Sequence, residues 1–191
     1  MSTRPPAFLT EAEYLELERR AETKSEYYHG QMFAMSGGSP THGEIILNVG
    51  SEFRQQLRGK GCHVYSSDVR LRVTPAGLYT YPDVMVVCGD AQFVDDQRDT
   101  IMNPVVLVEV LSPSTQVYDQ TQKFQLYRSL PSLTDYLIIA QDRPYIEQHT
   151  RQPENRWLLS EFKELDQSVP LASIGCTLKL AEVYCMVDWT A

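Results

Sequence analysis

Residues 104–111 are Pro-Val-Val-Leu-Val-Glu-Val-Leu, an apolar run that is broken by a single acid, Glu109. A second run, residues 81–87, is Tyr-Pro-Asp-Val-Met-Val-Val and contains Asp83. Apolar runs without polar alternation are typical of central strands that are covered on both faces. A carboxylate buried there is unfavourable unless a cation or a metal ion compensates its charge. Asp83 and Glu109 are therefore the first candidates for a functional site.

The surrounding segments predict a mixed α/β protein, with a central mixed β-sheet flanked by helices. Helices are expected where apolar residues recur at helical spacing, at residues 10–21, 41–57 and 117–130. The third helix connects the strand at 104–111 to another at 135–140, and this order predicts a parallel crossover unit. A β-hairpin is expected over residues 27–35, and strands, turns and a short helix from Ala181 over the remainder.

Local patterns add three expectations. Residues 10–13 and 41–44 each have the Thr-x-x-Glu spacing of a capping box, which places helix starts there. Residues 64–73 alternate between apolar and polar side chains, which predicts one half-buried strand. In that strand, Arg70 and Arg72 are expected on the solvent face.

The composition is that of an ordinary globular protein, with a net charge of −8, 42% hydrophobic residues and 22% charged residues. No apolar stretch approaches the roughly 20 residues of a membrane span. The first residues lack the apolar segment of a secretory signal, so a cytoplasmic protein without a membrane partner is expected. The four cysteines include no C-x-x-C pair, which predicts buried free thiols rather than a zinc site or a disulfide framework.

A divalent metal ion would account for the two acids. If their strands are neighbours, Asp83 and Glu109 lie close together and bind a hard cation through oxygen, with Mg²⁺ as the default ion and Mn²⁺ as an alternative. Lys123 lies in the helix after Glu109, one turn after Asp119 and one turn before Tyr127. An ammonium group beside a metal site stabilises the charge that develops on an attacked phosphate.

Several strings of the sequence resemble one known family. They are Tyr-Pro-Asp-Val at 81–84, Val-Glu-Val-Leu-Ser-Pro-Ser-Thr at 108–115, Lys-Phe-x-x-Tyr at 123–127 and Pro-Ser-Leu-x-x-Tyr-Leu at 131–137. These strings are similar to the Uma2 family, also called the domain of unknown function 820, over about residues 8–185. That family is abundant in cyanobacteria and has the PD-(D/E)XK restriction-endonuclease-like fold. The resemblance therefore implies a restriction-endonuclease-like sandwich.

The resemblance also implies a metal-dependent endonuclease that hydrolyses phosphodiester bonds. Asp83 and Glu109 would be two metal-binding catalytic acids, and Glu44, on the preceding helix, a third. The superfamily has a lysine two residues after the glutamate, where this chain has Leu111. The resemblance suggests that Lys123 takes that role from the following helix.

The expected partners and organisation follow from this resemblance. The substrate would be nucleic acid, DNA before RNA, with possible contacts from His42, Arg70, Arg72 and Tyr127. The tyrosine-rich segment 27–33 offers an interface for a homodimer.

The length of 191 residues suits one domain. Its expected parts are an N-terminal helix and hairpin at 8–38, a nuclease-like core at about 41–141 and a C-terminal β-rich extension at 142–191.

Structural explanations remain open for each candidate. Asp83 fits a strand-end carboxylate, Glu109 a buried ion pair, Glu44 a helix cap, and Lys123 a surface partner of Asp119. A non-catalytic binding module with the nuclease fold, or a small-molecule hydrolase with the same metal, also fits the residues. Residues 74–110 carry 6 acidic groups and 1 basic group, which disfavours tight nucleic-acid binding unless a metal ion offsets the charge.

Overall fold

The computed structural model describes residues 8–74, 76–112 and 119–189. Its helices are α1 (Glu11–Glu18), α2 (Pro40–Gln56), a π-helical turn (Asp119–Lys123) that continues into α3 (Phe124–Tyr127), a 3₁₀ turn (Pro153–Asn155) and α4 (Leu180–Val183). Its strands are β1 (Ser25–Tyr28), β2 (Gln31–Ala34), β3 (Cys62–Ser66), β4 (Arg70–Val73), β5 (Leu78–Thr80), β6 (Val84–Cys88), β7 (Thr100–Ile101), β8 (Val106–Val110), β9 (Asp135–Ile139), β10 (Ile146–Gln152), β11 (Arg156–Phe162), β12 (Ser168–Leu171) and β13 (Cys176–Lys179). Within these described ranges, no helix has both the length and the hydropathy needed to cross a membrane.

Six strands form a central mixed sheet in the order β11-β10-β9-β8-β6-β3. Strands β8 and β9 are parallel, and the other four neighbouring pairs are antiparallel. The parallel pair, with the helix of residues 119–127 between its strands, confirms the predicted crossover unit. Residues 117 and 118 of the predicted third helix lie outside the described residues.

Both faces of the central strands are covered, as the apolar runs predicted. Every residue of β8 and β9 is buried. On one face, α2, α4 and β13 pack with Val106, Val108 and Val110. On the other, α3 and strands β4 and β5 pack with Leu107 and Leu111. These strands lack polar alternation because both of their faces are buried against apolar residues.

A second sheet has the order β2-β1-β5-β4-β7. It includes β4, whereas β3 belongs to the central sheet, so the single strand predicted over residues 64–73 is wrong. A turn closed by a hydrogen bond from the Val69 N–H to the Ser66 carbonyl separates the two strands. Because the apolar alternation continues on both sides of this turn, periodicity alone does not reveal the change of sheet.

Neither arginine of β4 projects freely into solvent, contrary to the prediction. Arg70 is 4% exposed; its Nη2 lies 3.1 Å from Asp99 Oδ2, and its guanidinium lies over the ring of Tyr14. Arg72 Nη2 lies 2.8 Å from Glu11 Oε2. Helix α1 covers this part of β4 and supplies both the ring and the glutamate, so the arginines serve the packing between α1 and the second sheet.

The two helix starts give different outcomes. The capping box predicted at residues 10–13 is present at the start of α1. Helix α2 instead begins earlier than predicted, because Ser39 is its N-cap and accepts a 3.1 Å hydrogen bond from the His42 N–H. Pro40 occupies the first helical turn, where its fixed φ and missing N–H are tolerated. The capping box predicted at residues 41–44 is therefore wrong.

Cys62 and Cys88 form a disulfide, contrary to the prediction of free thiols. They are register partners on the neighbouring strands β3 and β6. Their sequence separation of 26 residues conceals this proximity, which arises only when the strands pair. The other two cysteines are free thiols: Cys176 is buried, as predicted, whereas Cys185 is exposed, contrary to the prediction of buried thiols.

Loss of this disulfide is expected to destabilise the protein. A bridge across 26 residues restricts the unfolded chain, and a loop of that length contributes about 3 kcal/mol to the free energy of unfolding. Urea unfolding of the variant Cys62→Ser/Cys88→Ser should show a decrease of about that size. Cys185→Ser, which removes an exposed free thiol, is the control. An unchanged unfolding midpoint in the double variant would contradict the assignment.

Asp99 is expected to make the fold sensitive to acid. A hydrogen bond from Arg19, with further contributions from Thr100 and Arg70, lowers the pKa of Asp99 from 3.8 to about 2. Because the folded pKa lies below the unfolded one, the stabilisation is complete above that range and is lost as pH falls through it. Asp99→Asn should flatten the decrease of the melting temperature between pH 4 and pH 2, whereas the exposed Asp96→Asn should not. An unchanged slope in the Asp99 variant would refute this origin.

Candidate active site

Asp83 and Glu109 meet at one end of the central sheet. In the antiparallel pair of β6 and β8, Val84 lies opposite Val108. Asp83 precedes Val84 in the chain and Glu109 follows Val108. In an antiparallel pair this places the two acids opposite each other, one residue beyond the Val84–Val108 pair. Asp83 Oδ2 also accepts a 2.7 Å hydrogen bond from the Val110 N–H. The strand adjacency that the metal hypothesis required is therefore present.

Glu109 lies on the side of the sheet that faces α3. Successive residues of a strand face opposite sides, and Leu107 and Leu111 pack on the α3 side. The glutamate is 4% exposed. Its Oε1 accepts a 2.7 Å hydrogen bond from the Tyr127 hydroxyl and lies 3.2 Å from Lys123 Nζ. A cation and a neutral donor thus compensate a carboxylate that would otherwise be strongly unfavourable at this depth.

Lys123 is buried between two carboxylates. The residue is 5% exposed, and its Nζ lies 3.2 Å from Oε1 of Glu109 and also 3.2 Å from Oε1 of Glu26 on β1. Glu26 in turn accepts a hydrogen bond from the hydroxyl of Thr80 on β5. The alternative of Lys123 as a surface residue is therefore wrong. Its side chain instead connects the helix, the central sheet and the second sheet.

Glu26 is the acid that sequence reasoning missed. It belongs to a four-residue strand in which Tyr27 is buried and the other three residues are half-buried. Strand alternation places Glu26 and Tyr28 on the side opposite Tyr27. This alternation is the one feature of the sequence that could have pointed to Glu26 as a site residue. An acid in a short hairpin is usually a surface charge. Its burial depends on the second sheet packing over the end of the first, which local periodicity does not predict.

His42 reaches Asp83 from the first turn of α2. Its Nε2 lies 3.3 Å from Asp83 Oδ2 and 3.1 Å from the Val110 carbonyl oxygen. Glu44 is two residues further along the helix, or about 200° around its axis, and is not among the residues lining the cavity described below. Its assignment to the site stays a prediction.

The described part of the chain does not form a metal site with three protein side chains as ligands. There, no three His, Cys, Asp or Glu residues are grouped so that they could hold a metal ion. The set of Asp83, Glu109 and Glu44 that was expected from the sequence is therefore not brought together. Asp83 and Glu109 remain as a pair of carboxylates at the ends of neighbouring strands, and the Val110 carbonyl oxygen lies 3.1 Å from His42 Nε2.

The acids line a cavity of about 540 Å³. This volume is typical of sites for small molecules, which span roughly 300–1,000 Å³. Its polar part is formed by Glu26, His42, Asp83, Glu109 and Lys123. Its other wall comes from the β1–β2 hairpin and the segment after it, and is formed by Tyr28, Phe33, Ala34, Met35, Ser36, Gly37 and Gly38. The cavity thus combines a charged end with a largely apolar wall.

The remaining substrate-contact candidates lie outside this lining. Arg70 and Arg72 are held by α1 and Asp99, as described above, and Tyr127 is fully buried beneath Glu109. Burial, and then the negative charge of the nearby glutamates, raise the pKa of Tyr127 well above its ordinary value. Tyr127 therefore stays neutral at physiological pH and acts as a hydrogen-bond donor to Glu109.

Comparison with known proteins assigns the chain to a family. The family model of Uma2, whose description is "Putative restriction endonuclease", matches residues 11–181. The chain belongs to the Uma2 family. Two relatives from Synechocystis sp. are each 35% identical: slr1290 over 178 residues (92% of this chain, 91% of that protein) and sll1609 over 154 residues (81% and 87%).

A solved structure shows the same fold. It is the crystal structure of a "putative nuclease belonging to DUF820" from Anabaena variabilis, with a TM-score of 0.77 and 18% identity. The match covers 94% of this Uma2 chain and 99% of the other. The family resemblance and the restriction-endonuclease-like arrangement of a mixed sheet flanked by helices are thus confirmed.

Removal of the Tyr127 hydroxyl is expected to destabilise this Uma2 protein. Tyr127→Phe leaves Glu109 buried without its neutral donor, and the loss of a buried hydrogen bond to a charged group costs about 2 kcal/mol. Urea unfolding measures the difference. Tyr145→Phe is the matched control: its hydroxyl bonds to the exposed Glu161 and, at 3.2 Å, to the half-buried Glu147, so its loss should cost less. Equal effects of the two variants would contradict this account of Glu109.

Proposed function

We propose that this Uma2 protein is a metal-dependent nuclease that hydrolyses phosphodiester bonds in nucleic acid, with DNA as the first substrate to test. The observation that carries the proposal is the meeting of Asp83 and Glu109, from neighbouring central strands, beside the buried ammonium of Lys123. The description of the family, and that of the Anabaena protein with the same fold, support the same class of activity.

The donors at this point fit a hard divalent cation. Asp83 and Glu109 offer carboxylate oxygens; the Val110 carbonyl oxygen, which lies 3.1 Å from His42 Nε2, is a further oxygen at the same strand end. Mg²⁺ is commonly bound by one or two protein carboxylates together with water molecules, so a pair of acids is sufficient. Mg²⁺, or Mn²⁺ in its place, would activate a water molecule for attack on phosphorus and neutralise charge on the phosphate.

The chain's own residues would prepare this site in three ways. Tyr127 holds the Glu109 carboxylate at the sheet end, and the Val110 N–H holds that of Asp83. Glu26 and Glu109 position the ammonium of Lys123 at the cavity. A fixed cation there stabilises negative charge that develops on the phosphate, and it does so without reorganisation because its partners already hold it.

The position of Leu111 supports a lysine role for Lys123. Residues 109 and 111 face the same side of β8, so a lysine two residues after the glutamate would also reach that side. Here Leu111 is 5% exposed and packs in the apolar cluster with Leu130 and Leu133. Lys123 brings an ammonium to the same side from the helix, within 3.2 Å of Glu109. The cation is therefore present although the motif position is apolar.

Asp83→Asn is expected to reduce nuclease activity by about 100-fold or more, because it removes one of two anionic oxygen donors. The assay would incubate DNA and RNA oligonucleotides with Mg²⁺ or Mn²⁺ and quantify the products. Asp90→Asn is the matched control: it lies just beyond the other end of β6, exposed and outside the cavity lining.

Equal cleavage by wild type and the Asp83 variant would refute this site. Manganese binding, followed by calorimetry, separates the remaining possibilities. A wild-type protein that neither binds Mn²⁺ nor cleaves would favour the non-catalytic module with the nuclease fold. Mn²⁺ binding that Asp83→Asn abolishes, together with cleavage by the wild type alone, is the expected result.

A further inference from the structure

The β1–β2 hairpin places an aromatic ring beside the acids. Glu26 and Phe33 are register partners in this antiparallel pair, so their side chains lie next to each other on one side of the hairpin. Tyr28 is two residues from Glu26 and shares that side. Phe33 is 48% exposed, and all three residues line the cavity. The charged end and the aromatic wall are thus continuous.

The acids themselves are recessed. The side chains of Asp83, Glu109 and Glu26 are 14%, 5% and 12% exposed. A scissile phosphate must therefore enter the cavity to reach them, and its neighbouring sugar and base must enter or flank it. Inside a base-paired duplex both faces of a base are covered by its stacked neighbours, so away from the duplex ends an exposed protein ring can stack only on a base that has left the duplex.

We propose that Phe33 is a stacking platform for an unpaired nucleobase next to the scissile phosphate, and that the substrate is single-stranded or locally unpaired nucleic acid. This inference rests on the proposed nuclease function and names its substrate class. An aromatic platform accepts any base, because every base has a π-face, so the contact selects strandedness rather than sequence.

The charge of the cavity agrees with this substrate. Among the described residues that line the cavity, Lys123 is the one lysine or arginine, so this site is poorly suited to bind a duplex through its phosphates alone. Stacking contributes about 1–3 kcal/mol per base and acts on the base rather than on the phosphate. A strand with accessible bases can therefore gain from Phe33 an affinity that a duplex cannot.

The test measures binding separately from cleavage. In an Asp83→Asn background, which prevents cutting, fluorescence anisotropy would compare a labelled 12-nucleotide single strand with the duplex of the same sequence. The single strand should bind more tightly, and Phe33→Ala should weaken its binding by about 10-fold, in line with the loss of one stacked base. Phe33→Trp should restore it. Leu158→Ala, at an exposed apolar residue of β11, is the matched control and should have no effect.

Three results would overturn the inference. They are tighter binding of the duplex, an unchanged affinity of Phe33→Ala for the single strand, and a shift from dimer to monomer in Phe33→Ala by size-exclusion chromatography. The last would show that Phe33 is covered by a second copy of the chain. Single-strand binding that depends on Phe33, without cleavage by the wild type, would support the platform and refute the nuclease, so the two proposals can fail separately.

Discussion

A negative charge buried within an apolar sheet constrains the arrangement of three parts of this molecule. Glu109 is 4% exposed near the end of β8, one of the central strands, and its charge requires partners at hydrogen-bonding distance. Lys123 and Tyr127, on the helical segment after β8, supply them. Lys123 is itself buried and needs a second acid, which Glu26 provides from the hairpin. The crossover helix, the central sheet and the second sheet are therefore joined through one cluster of charges.

The balance of charge in that cluster connects the fold to the proposed chemistry. The described lining of the cavity holds three carboxylates, from Glu26, Asp83 and Glu109, and one ammonium, from Lys123. Such an excess of negative charge in a recess is unfavourable by itself, and a divalent cation reduces it. The same excess weakens the binding of a substrate phosphate, and a bound cation would reduce that repulsion. Metal binding and substrate binding would then be coupled through electrostatics alone.

The sequence predicted what depends on strand pattern and failed where distant segments meet. The apolar runs around Asp83 and Glu109 correctly indicated central strands, and their adjacency put the acids together. The crossover through the helix of Lys123 was also predictable. Glu26, the Cys62–Cys88 bridge and the burial of Arg70 were not, because each depends on contacts between segments that no local period records.

The extent of α2 shows how a small local error changes a site. The family resemblance assigned Glu44 to the acids, and the capping pattern at residues 41–44 offered a helix-starting role as its alternative. Because Ser39 caps the helix instead, His42 occupies the turn that approaches Asp83. Side chains two positions apart on a helix point in nearly opposite directions, about 200° around its axis. The position of the cap therefore decides which residue contributes to the cavity.

The position of the disulfide matters for the sheet as a whole. Strand β3 is at one margin of the central sheet, and such a margin leaves a row of backbone donors and acceptors that another chain could extend. A covalent link from this strand to β6 opposes fraying, and so opposes exchange of the strand between molecules. The bridge lies at the end of β6 that is remote from Asp83. The link that opposes strand swapping is therefore at one end of β6, and the acid of the proposed site, Asp83, is at the other.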